Sequence, residues 1–112
     1  MNISFATDRL EKDMNDRASM LKTYGAELSK ALQKRISDLD AAQVLEVMRT
    51  SAGKCEELKG DRKGQLSVHL NANYRLIFEP ADDPPALKDD SGIDWTQVRS
   101  IKIIEVIDYH KK

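Results

Sequence analysis

The chain has 112 residues, 40% hydrophobic and 33% charged, with a formal net charge of −1. That is room for one domain, 1–112, around one modest core, and it holds no run near the roughly 18 apolar residues that a membrane crossing takes. Charged residues begin at Asp8, too early for a secretory leader, and one cysteine with two histidines gives neither a disulfide nor a zinc-ligand spacing, so we expect a cytoplasmic protein needing no metal or cofactor.

Residues 2–6 alternate polar and apolar and predict a short strand. A helix follows from Thr7-Asp8 to about Asn15. Asp8 is its expected cap, and Glu11 three residues on suits a capping box. The strongest helical signal covers 18–39. There Leu28, Leu32, Ile36 and Leu39 recur at helical spacing, with Ala31 filling the stripe. Gly25 costs about 1 kcal/mol inside a helix, so the helix is expected to begin near it. Asp40 is the expected cap of a further helix that turns Val44, Leu45 and Met48 inward.

From residue 65 the period becomes two. Leu66, Val68 and Leu70 take one face, while Gln65, Ser67, His69 and Asn71 take the other. Asn71-Ala72-Asn73 has turn chemistry. A strand with Tyr74, Leu76 and Phe78 alternating against Arg75 and Ile77 comes next. Residues 79–95 are rich in Pro, Asp and Gly and predict a long loop, anchored at its far end by Trp95. The last strand covers 98–109. Its expected faces are Ile101, Ile103 and Ile107 against Ile104 and Val106, as in a central strand covered on both sides. The expected architecture is α+β: a small, mostly antiparallel sheet in the order β-α-α-(α)-β-β-β, with the N-terminal helices on one face.

Charge is unevenly divided. Residues 54–78 carry +2 and 99–112 carry +2, whereas 79–98 carry −5. The whole chain is therefore not a nucleic-acid binder by charge, although one face of it has the means.

Three segments carry chemistry. Lys59, Arg62 and Lys63 lie in the Gly-bounded turn Leu58–Gly64, which reads either as a solvated turn or as a phosphate contact. Arg75 interrupts an apolar strand. It is either a structural ion pair, to Glu79 or Asp108, or a guanidinium whose fork binds two phosphate oxygens. Asp108-Tyr109-His110 joins a carboxylate, a phenol and an imidazole. Asp108 and His110 share a strand face. His110 is suited to acid or base work near neutral pH unless it is simply exposed. Tyr109 stacks on a base or fills a gap in the core. His69 reads as a packed or quietly hydrogen-bonded residue, and Cys55 as inert.

The LKGDRKG turn, the NYRLIF strand and the terminal IIEVIDYH strand, in this order and spacing, resemble the HigB-type toxins of the RelE/ParE superfamily. The resemblance spans most of the chain. It implies a RelE-like fold and a ribosome-dependent mRNA endonuclease of a type II toxin–antitoxin system, working without a metal by 2′-hydroxyl attack. Its implied partners are mRNA on the ribosome and a DNA-binding antitoxin, with a toxin–antitoxin heterotetramer as one assembly. It implies catalytic roles for Lys59, Arg75, Asp108, Tyr109 and His110, with Arg62 and Lys63 as RNA contacts. The chain departs from the family pattern in three respects. Glu56-Glu57 stands where some of these toxins have a histidine, the acidic loop exceeds the usual hairpin, and the net charge is −1 where many such toxins are strongly basic. The alternative within the same fold is a ParE-like toxin that binds and inhibits a protein such as DNA gyrase without catalysis.

Overall fold

The computed structural model describes residues 1–109. Its strands are β1 (Asn2–Phe5), β2 (Glu56–Glu57), β3 (Leu66–His69), β4 (Tyr74–Pro80) and β5 (Ser100–Asp108), and its α-helices are α1 (Asp8–Asn15) and α2 (Arg17–Ala41). The five strands form one sheet in the order β1-β5-β4-β3-β2. β1 runs parallel to β5 and the other neighbours are antiparallel. This is the expected α+β arrangement. The two-residue β2 was not anticipated, because a strand so short leaves no period to read.

Local chemistry sets the helix ends. Thr7, not Asp8, caps α1, its hydroxyl accepting from the Leu10 N–H at 3.0 Å. Asp16 caps α2 through the Ala18 N–H. Gly25 sits inside α2 at φ 82° and ψ 172°, so the helix breaks there without the strain a side chain would bring. The apolar stripe occupies the segment after this break. Asp40 does not cap a new helix, since α2 runs on to Ala41. A 3₁₀ turn at Leu45–Thr50 follows, and it still buries Leu45 and Met48.

The helices cover one face of the sheet. Leu32 and Leu39 from α2 meet Leu66, Val68, Leu76, Phe78, Ile101 and Ile103, all fully buried. A bulge opposite Ile77/Phe78 pairs Ile77 with Glu105 and Phe78 with Ile103, so Ile104 is the extra residue. The bulge reverses the parity of β5. Val106, not Ile107, joins Ile101 and Ile103 on the helix side, and Ile107 turns to the open face beside Arg75.

The 79–95 segment is not a free loop. β4 continues to Pro80, and Ile93, Trp95 and Val98 are buried in the core. The Trp95 indole N–H donates to Glu57 at 3.0 Å, and the ring lies 4.0 Å beneath the Arg49 guanidinium. Glu57 also accepts from the Ile93 N–H. Trp95 is thus the anchor that the sequence suggested.

Candidate functional site

The face of the sheet turned away from the helices carries the polar chemistry. Directly opposed residues in neighbouring strands share a face. One row therefore runs Glu56–Ser67–Ile77–Glu105 and the next runs His69–Arg75–Ile107. Arg62, from the turn joining β2 to β3, reaches across β4 to the Glu105 carboxylate at 2.9 Å, and its other Nη donates to Gln65 at 2.8 Å. The turn folds over the open face in this way, and Ile77 and Ser67 in the row that Arg62 crosses are fully buried. The positive φ of Gly60 (62°) and Gly64 (92°) brackets the fold-over.

Between this turn and the end of β5 lies a cleft of about 500 Å³, lined by Leu58, Lys59, Asp61, Arg62, Ile107, Asp108 and Tyr109. Four expected site residues meet here from segments some 50 positions apart. Lys59 is exposed and has no ion-pair partner among the described residues. Lys63 is exposed at the far end of the turn and is not part of the lining. His110 lies outside the described residues.

Arg75 stands behind Tyr109, its guanidinium carbon 5.1 Å from the ring centroid. It is no ion-pair partner of Glu79, which pairs with Lys102 at 3.6 Å. Instead Nη1 donates to the carbonyls of Asn71, Tyr74 and Ala72 at 3.1, 3.1 and 3.5 Å. Those bonds fix the group in the β3–β4 turn, which Asn71 closes by accepting from the Asn73 and Tyr74 N–H groups. Nε is buried without a partner among the described residues. A buried donor with no acceptor is costly.

His69 and Glu56 extend the site beyond what the residue pattern suggested. Glu56 and Glu57 alternate. Glu57 turns to Trp95, while Glu56 takes the open face with Ser67 and His69. Burial, then the Arg75 guanidinium, lower the His69 pKa from its ordinary value, and the Glu56 carboxylate opposes this. The available signal was the shared parity of Ser67, His69 and Arg75. Which strand pairs with which, and in what register, was needed to use it. Among the described residues no His/Cys/Asp/Glu cluster has the makings of a metal site. Nor is any described helix long and apolar enough to cross a membrane.

Residues 3–87 match the family described as the RelE-like toxin of the type II toxin–antitoxin system HigB. The match stops short of β5. Toxin HigB-1 of Vibrio cholerae serotype O1 is 39% identical over 56 residues, which are 49% of this chain and 59% of that protein's length. Two solved structures have the same fold. A YoeB/ParE toxin from Agrobacterium tumefaciens is 14% identical with a TM-score of 0.61, covering 98% of this chain and all of the other. The heterotetrameric YoeB-YefM toxin-antitoxin complex from Staphylococcus aureus contains a chain 20% identical with a TM-score of 0.58, covering 98% and 97%.

Proposed function

The chain belongs to the HigB-like, RelE-like toxins of type II toxin–antitoxin systems, and from that premise we propose that it is a cytoplasmic endoribonuclease cutting mRNA on the ribosome. The observation that carries this reading is the meeting of Lys59, Arg62, Asp108 and Tyr109 at one cleft, with Arg75 behind the tyrosine. In the reaction, the ribose 2′-oxygen attacks the adjacent phosphorus and the bond to the 5′-oxygen breaks. The products are a 2′,3′-cyclic phosphate and a 5′-hydroxyl. Arg75 and Lys59 stabilise the charge that grows on the non-bridging oxygens, a task best done by groups held in place beforehand. Tyr109 stacks on a base. Asp108 orients His110, which protonates the leaving oxygen, and Arg62 and Lys63 hold flanking phosphates.

The ribosome enters for an electrostatic reason. The chain is −1 overall and carries a −5 segment at 79–98, so it lacks the broad basic surface that free RNA binding needs. Positioning of the mRNA by the ribosome then supplies what affinity does not. An antitoxin encoded alongside is the proposed partner, in a heterotetramer or a simpler complex. It covers the cleft or fills the groove of about 570 Å³ that Ile3, Phe5, Met14, Met20 and Ile36 line between β1 and the helices.

The test compares naked mRNA with mRNA in programmed ribosomes. We expect cutting only in the second, with 5′-hydroxyl ends. Rapid cutting of naked RNA would remove the ribosome from the reading. No cutting in either would move it to a non-catalytic toxin of the ParE kind.

A further inference from the structure

We propose that His69 is a catalytic residue of this reaction, facing the phosphodiester held at Arg75 and accepting the proton of the attacking 2′-hydroxyl. The inference rests on the endoribonuclease reading and extends its site by one strand.

The placement comes from register. His69 ends β3 directly opposite Arg75, and Arg75 is directly opposite Ile107, so the three share the open face. Arg75 continues to the Tyr109 ring. On the other side Glu56 is opposite Ser67, two residues before His69 on the same face. A carboxylate, an imidazole, a guanidinium and a phenol thus form one band from β2 to the end of β5. Arg75 has the phenol on one side and the imidazole on the other, and so would a phosphate held beside it. Directly opposed side chains in an antiparallel pair start about 5 Å apart, which is within reach of one phosphodiester.

The backbone of His69 is held on both sides. Its N–H donates to the Gly53 carbonyl at 2.7 Å, and its carbonyl accepts from Arg35 Nε at 3.1 Å. Gly53 is at φ 98°, and a Cβ there would stand 2.7 Å from Arg35 Nε. Arg35 is itself paired with Asp38 at 3.0 Å. A site side chain on so fixed a strand end keeps its aim.

The protonation state fits a base. Burial, Arg75 from β4, Lys54 ahead of β2 and Arg35 from α2 all lower the His69 pKa, and Glu56 from β2 alone opposes them. The ring is therefore neutral at pH 7 and has a lone pair to offer. When a phosphate docks on Arg75 it offsets the guanidinium, and the proton affinity of the ring rises. The ring becomes a stronger base only with substrate in place. The step balances: the 2′-O–H bond breaks with its proton passing to the His69 ring nitrogen, the O2′–P bond forms, the P–O5′ bond breaks, and O5′ takes a proton from His110.

Two measurements test this. The first follows the His69 ring protons by NMR through a pH titration, alone and with an uncleavable 2′-deoxy trinucleotide. Alone, His69 should titrate below the ordinary imidazole range, and the trinucleotide should move its midpoint upward. The second compares ribosome-dependent cleavage by the wild type and His69→Gln across pH. The variant should lose on the order of 10²–10⁴-fold in kcat, with KM within about threefold and the acidic limb of the profile flattened. A trinucleotide that shifts Tyr109 signals but not those of His69 would overturn the proposal. So would a folded His69→Gln with the wild-type pH profile. A wild type that never cuts RNA would overturn the endoribonuclease reading and the proton transfer together. A cutting wild type with an unaffected variant would remove His69 alone.

Discussion

The two faces of the sheet are built by opposite rules. On the helix side, Leu66, Val68, Leu76, Phe78, Ile101 and Ile103 are fully buried against α2 and its neighbours. On the other side, Glu56, His69, Arg75 and Glu105 share the surface with a turn folded over it. The first face is held by apolar area removed from water, at about 25 cal/mol per Å². The second is held by directional bonds to charged groups, which contribute little stability when half exposed but fix where those groups point. Stability and chemistry are therefore separable in this chain, and substitutions on the two faces should separate them.

The largest effect is expected from Phe78→Ala, since an aromatic truncated in a core costs about 3–5 kcal/mol. Chemical denaturation should show that loss, and toxicity should fall only as far as the folded fraction does. Arg75→Ala is the converse. We expect cleavage to drop on the order of 10²–10³-fold while the unfolding midpoint moves little. A folded and fully toxic Arg75→Ala would break the division between the faces.

Glu57→Ala sharpens the comparison at its margin. Its carboxylate serves the Trp95 and Ile93 N–H groups, and stranding buried donors costs about 1–3 kcal/mol. The variant should lose stability and show changed Trp95 fluorescence, with cleavage per folded molecule unchanged. A loss of rate in the folded protein would place Glu57 with the open face.

A smaller effect should follow from pH. His69 has a lowered pKa in the folded chain, so the unfolded chain binds that proton first. Its contribution to stability is complete above the unfolded value of about 6.5. It is lost as pH falls from there toward the folded value. Wild type should lose more stability between pH 7.5 and 5 than His69→Gln, and equal losses would remove His69 from that account. Least of all, Cys55 should react slowly with thiol reagents at pH 8. Burial pushes its thiol up to about 12, and labelling should follow local opening of the chain.

Much of this was legible in the chain. The stripe Leu28–Leu39, the alternation from Leu66 and the Asn71 turn are local patterns, and each became the expected element because period selects face. The break at Gly25 was readable from its cost in a helix. The cap at Thr7 was missed by one position, since Thr7 and Asp8 are both good caps and packing chooses between them. Ile107 was assigned to the wrong side because a bulge is set by the partner strand and leaves no mark in the strand's own alternation. For the site, the turn residues and the β5 terminus were readable as separate segments with fitting chemistry, and the role of Trp95 was readable as an anchor.

What the sequence determined alone was a list: which residues are apolar at which period, where the charge concentrates, and which side chains are candidates for phosphate chemistry. Tertiary structure decided which of them meet. Arg62 pairs with Glu105 at a separation of 43 residues, and His69 lies beside Arg75 because the short turn after His69 sets β3 against β4 in that register. Contacts so distant along the chain depend on the packed sheet, because burial is non-directional while hydrogen bonds and ion pairs require groups held at fixed distance and angle.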